Sequence, residues 1–118
     1  MQICKETSYK VLYTVSGDQV KEGTQHKILY TFKDNQLLKG TQSEVLLTLR
    51  GVEICKGTGH KTLTKIRDNT LCEGTGYNVL YTIRDVEVCE GTSRNTLFKI
   101  REGEVNMERI FMLLTVLG

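Results

Sequence analysis

A period of seventeen residues runs through most of the 118-residue chain and constrains its fold more than any single motif. Units begin at Val11, Ile28, Val45, Thr62, Val79 and Thr96, with no insertion between them. Residues 1–10 align with the second half of a unit, and residues 113–118 with the first half of another. The chain therefore reads as one repeat domain, 1–118, built from six full units and a half unit at each end.

Three places in the unit are apolar throughout. Place 2 is Leu12, Leu29, Leu46, Leu63, Leu80 and Leu97; place 5 is Val15, Phe32, Leu49, Ile66, Ile83 and Ile100; place 10 is Val20, Leu37, Ile54, Leu71, Val88 and Val105. Between places 5 and 10 lie pairs such as Gly17-Asp18, Asp34-Asn35 and Gly51-Val52, which suit two-residue hairpin turns, type II′ where Gly leads and type I′ for Asp-Asn. A turn at places 7 and 8 sets place 5 opposite place 10 and Leu at place 2 opposite Gly at place 13, so Gly57 faces Leu46. A three-residue loop at places 15 to 17 would join six-residue strands and keep the faces in phase.

Composition agrees with strands. The chain has no alanine and no proline, while Val, Ile and Thr make up more than a quarter of it. The best helix former is missing and the residues that pack on a pleated surface abound.

The expected fold is all-β: seven tandem hairpins in an antiparallel meander, closed when the C-terminal strand 113–117 pairs with the N-terminal strand 3–7. Fourteen strands about 4.8 Å apart would enclose a bore of about 11 Å radius. Side chains fill the bore of about eight strands, so such a ring must flatten into a sandwich or keep a wet interior. The alternative is a β-solenoid with a C-terminal helical cap, because Met107, Ile110, Phe111 and Leu114 also fall at i, i+3, i+4 and i+7. Apolar places on both sheet faces point to a second layer or an oligomer.

The segment GTGHKT at 57–62 superficially resembles a phosphate-cradling loop. That chemistry needs the loop to lead into a helix, and here a strand, LTKIR, follows. Other units fill the slot with GTGYNV and GTQHKI, so it reads as a recurrent connection.

All four cysteines fall at place 11: Cys4, Cys55, Cys72 and Cys89. A thiol ladder binding a soft metal or sensing oxidation requires equivalent places to stack, as in a solenoid; in a meander they lie two strands apart, about 9.6 Å. No CxxC spacing occurs, and no metal or cofactor is expected. Place 16 puts Tyr9, His26, Ser43, His60, Tyr77 and Arg94 at the loop tips, where Tyr9, His26, His60, Tyr77 and Arg94 are the candidate ligand-binding residues. Place 12 carries Glu22, Lys39, Lys56, Glu73 and Glu90, read as cross-strand charge pairs.

A net charge of +2, spread evenly, provides no field for nucleic acid or an anionic membrane. No apolar run reaches bilayer length and no leader is evident, giving the expectation of a cytoplasmic, soluble chain. Two histidines on separate tips, with no converging nucleophile and base, give the expectation of a non-enzyme. The expected role is an interaction or scaffold module that presents hairpin loops, with a second copy or another protein as partner. The alternatives are a thiol-based metal or redox response, and binding of a small molecule or sugar.

Overall fold

A computed structural model describes residues 1–6 and 8–117. Twelve strands, β1 (Gln2–Lys5), β2 (Val11–Ser16), β3 (Gln19–Glu22), β4 (Ile28–Lys33), β5 (Gln36–Lys39), β6 (Val45–Arg50), β7 (Glu53–Lys56), β8 (Thr62–Arg67), β9 (Thr70–Glu73), β10 (Val79–Arg84), β11 (Glu87–Glu90) and β12 (Thr96–Arg101), precede one helix, α1 (Met107–Leu117). The strands form a closed antiparallel meander barrel.

The hairpin register follows the repeat. Val15 faces Val20, Phe32 faces Leu37, Leu49 faces Ile54, Ile66 faces Leu71 and Ile83 faces Val88. The backbone N–H of Gly57 donates to the Leu46 carbonyl at 2.8 Å, and Gly23, Gly40, Gly74 and Gly91 repeat that bond. At the two-residue turns only the first residue has positive φ, including Asp34, Asp68 and Asp85 at 56° to 59°. Aspartate tolerates that conformation better than most side chains, and the type I′ geometry expected of Asp-Asn, with both residues at positive φ, is not adopted.

Closure occurs at the two ends of the sheet, with six hairpins in place of seven. β12 pairs with β1, and Ile100 faces Ile3 as place 5 faces place 10 elsewhere. The sixth hairpin is thus assembled from the last full unit and the N-terminal half unit, with its turn cut open. The expected partner of β1, 113–117, is helical instead; Thr7, the end of the expected N-terminal strand, and Gly118, the last residue of the C-terminal half unit, lie outside the described residues. The continuous lateral pairing also overturns the solenoid, of which only the C-terminal helix is present.

The second strand of each hairpin has four residues, because place 13, Gly at φ of 55° to 57° in five hairpins and Glu6 at 49° in the sixth, turns left-handed and ends it. A connection of places 13 to 17 replaces the expected three-residue loop. A bulge follows: the partner of place 10 is place 3 of the next unit, whereas the partner of place 11 is place 1, so place 2 is unpaired. This brings Leu63 and Thr64, though consecutive, to the same inner side, where strict alternation along a strand would put them on opposite faces.

α1 solves the problem of the bore. Twelve strands enclose a radius of about 9 Å, and a helix with its side chains is about 10 to 12 Å across. Ile110, Phe111, Met112, Leu113 and Leu114 are all buried, so the helix is covered all round and joins the core formed by the place-5 and place-10 side chains. Asn106 caps it, its Oδ1 accepting from the Arg109 N–H at 3.1 Å. Arg109 donates to the Gly17 carbonyl and to Asp18 at 2.7 Å, which fixes the helix N-terminus at the turn rim. The other end reaches the loop rim, where Thr115 meets Thr64 at 2.8 Å. Overall extents of 37 × 34 × 20 Å describe a disc about as thick as one strand is long.

Candidate functional site

The helix sits off centre. It packs closest to β6 and β8, and these are the strands whose inward place-3 residue is not aromatic. Place 3 is Tyr13, Tyr30, Leu47, Thr64, Tyr81 and Phe98 around the ring. Missing rings at Leu47 and Thr64 make room for α1 on that side; elsewhere the rings hold it away.

The space left between the helix and the wall from β8 to β12 is a cavity of about 570 Å³ that opens at the loop rim. Its walls are apolar: Leu63, Leu80 and Leu97 from place 2, Leu71 from place 10 and Leu114 from α1. Its polar residues are Thr64, Thr115, Tyr81, Glu73 and Glu90. A concave, mostly apolar site of this size with a few convergent polar groups is what a small molecule requires.

Tyr81 on β10 lies between the two acidic strands, directly opposite Glu90. Place 12 points to the mouth of the bore, and its circular order is Lys5, Glu22, Lys39, Lys56, Glu73, Glu90. The cavity thus opens at the one adjacent pair of acidic residues. Equivalent places lie on alternate strands, which corrects the reading of place 12 as cross-strand charge pairs. Among the described residues neither the Glu73 nor the Glu90 carboxylate makes an ion pair or hydrogen bond. On the next pair of long strands round the wall, burial and then the neighbouring Tyr13 push the Tyr30 phenol above its ordinary value of 10.0.

The loop tips are dispersed. Tyr9, His26, Ser43, His60, Tyr77 and Arg94 are all exposed, one per connection around the rim, and converge on no common point. Tyr9 and Tyr77 are 80% and 81% exposed, each beneath a guanidinium: Arg101 stands 4.0 Å from the Tyr9 ring centroid and Arg67 4.2 Å from that of Tyr77. In GTGHKT, Thr62 lies in β8 and its hydroxyl donates to Glu53. No helix follows to cradle a phosphate.

The cysteines are free and buried, one on each of four separate hairpins. The lateral meander removes the stacking that a thiol ladder of Cys55, Cys72 and Cys89 needs, and no group of metal ligands forms among the described residues. A regularity in the sequence accompanies them. Arg50, Arg67, Arg84 and Arg101 at place 6 occur on the hairpins that carry Cys55, Cys72, Cys89 and Cys4, while the other two have Ser16 and Lys33. Arg50 and Arg67 reach back along the hairpin to the carbonyls of Thr58 and Gly59, and of Thr75 and Gly76; Arg84 reaches that of Thr92. Arg50, Arg67 and Arg84 thus each strap the hairpin that carries their cysteine.

The closed six-fold arrangement of hairpins defines a class of protein, and residues 3–117 match the family described as 6-fold beta flower protein. The chain belongs to that family. No curated protein and no solved structure matches it significantly.

Proposed function

We propose that the protein is a non-catalytic binding module that takes a small molecule into the loop-rim cavity. The observation that carries this reading is the off-centre helix, which leaves the leucines of β8, β10 and β12 lining a cavity of about 570 Å³ inside the barrel. A barrel of this width needs a plug; a plug that fills only part of it leaves a pocket with rigid walls. The polar groups there lack a nucleophile paired with a base, which favours binding over catalysis.

Thermal unfolding against a panel of small molecules tests this, with Leu80→Trp as the filled-cavity control. A ligand at about a hundred times its Kd stabilises by about 2.7 kcal/mol. The expected result is a compound that raises Tm for the native chain and not for L80W; equal shifts in both would place binding elsewhere.

A second reading, docking of a protein partner on the loop rim, is favoured by Tyr9 and Tyr77, whose exposed rings are held by arginines. Rigid exposed tyrosines are common interface anchors. Loss of a captured partner in Tyr9→Ser/Tyr77→Ser, with L80W unaffected, is the outcome expected of this reading.

A further inference from the structure

We infer that the cavity selects an amphiphilic cation: a compact apolar body carrying a protonated or quaternary amine. The inference rests on the cavity being the ligand site and specifies what enters it. Two independent features agree on the chemistry. The walls, Leu63, Leu71, Leu80, Leu97 and Leu114, match an apolar body. At the mouth, the carboxylates of Glu73 and Glu90 flank the Tyr81 ring and have no partner among the described residues.

Further negative potential comes from the helix. α1 runs from turn rim to loop rim, so its C-terminal carbonyls point toward the mouth, and its last turn has no basic residue to offset them. A cation there meets two carboxylates and the negative end of a helix dipole beside the Tyr81 side chain. An anion meets the same field with the opposite sign. Elsewhere on the ring the place-12 charge is basic or single: Lys39 and Lys56 adjoin each other, and Glu22 stands between Lys5 and Lys39. The acidic pair thus coincides with the open space.

Three ligands sharing one apolar body and differing in headgroup provide the test: phenylbutylamine, phenylbutanol and phenylbutyrate, titrated into the full chain by calorimetry. The amine should bind about tenfold more tightly than the alcohol, and the acid more weakly still. The preference should shrink as salt rises toward 1 M, where screening acts within about 3 Å. Glu73→Lys/Glu90→Lys should abolish the amine's advantage; lysine already occupies this place in three hairpins, at Lys5, Lys39 and Lys56, so the variant is compatible with the fold. Equal binding of all three, lost in L80W, would overturn the inference and leave the cavity a binding site. Tightest binding of the acid would overturn it too, and no binding of any would overturn both readings.

Discussion

The hydroxyls of Thr64 and Thr115 lie 2.8 Å apart across fifty-one residues of sequence, joining the barrel wall to its central helix. Thr115 also donates to the Phe111 carbonyl one turn earlier, so a single side chain links the wall to the helix backbone. Thr115→Val should cost about 1 to 3 kcal/mol, because it leaves the buried Thr64 hydroxyl unpartnered. The double substitution Thr64→Val/Thr115→Val should cost less than the sum of the two, as denaturant titrations of the cycle will measure.

Phe111 is fully buried at the centre of the helix. Phe111→Ala should destabilise by about 3 to 5 kcal/mol through lost burial and the void left behind. A loss below 1 kcal/mol in equilibrium unfolding would mean that the helix does not form the core.

Glu6 occupies the place that glycine fills in five connections, and it adopts their left-handed backbone at φ 49°. That conformation costs a side chain about 1 kcal/mol, so Glu6→Gly should stabilise by up to that amount. Gly57→Ala should destabilise, its φ of 57° being equally left-handed. Opposite signs in matched thermal melts are the expected result.

The arginine straps make a prediction about the thiols. Native Cys72 should react slowly with an aqueous disulfide reagent, and Arg67→Ala should accelerate it selectively, since Arg67 holds the Thr75 and Gly76 carbonyls over that hairpin. Peptide mass mapping reads the labelling. Uniform acceleration of all four thiols would indicate global destabilisation instead.

Tyr30 gives an alkaline signature. Its folded-state value is raised, so above about 10 the unfolded chain releases a proton that the folded chain keeps. Stability therefore falls as pH rises beyond the ordinary phenol value, and below it the contribution vanishes. Tyr30→Phe should flatten that decline in unfolding free energy.

Hairpin register was legible in the sequence because its determinants are local. Two-residue turns and the aliphatic pairs at places 5 and 10 fix it, and Gly57 opposite Leu46 follows. The number of hairpins was not, because residues 107–117 satisfy a helical spacing while their first half unit continues the strand pattern. The deciding signal was IFMLL at 110–114, five consecutive apolar residues that a strand covered on one face would half expose. The cavity was harder to foresee. It depends on Leu47 and Thr64 interrupting a ring of aromatics, a pattern that acquires meaning only once place 3 is known to face the bore. The coincidence of arginine at place 6 with cysteine at place 11 was visible throughout, but its cause lies in a reach of the side chain along the hairpin.

A ladder of identical hairpins has no intrinsic count; each edge would accept another unit with its hydrogen bonds equally satisfied. What fixes the number at six is the girth of α1. Inserting one more seventeen-residue unit would leave every turn and strand pair intact and surround the helix with a hollow annulus, while removing one would leave no room for Phe111. Copy number in this ring is therefore set by the one segment that departs from the repeat.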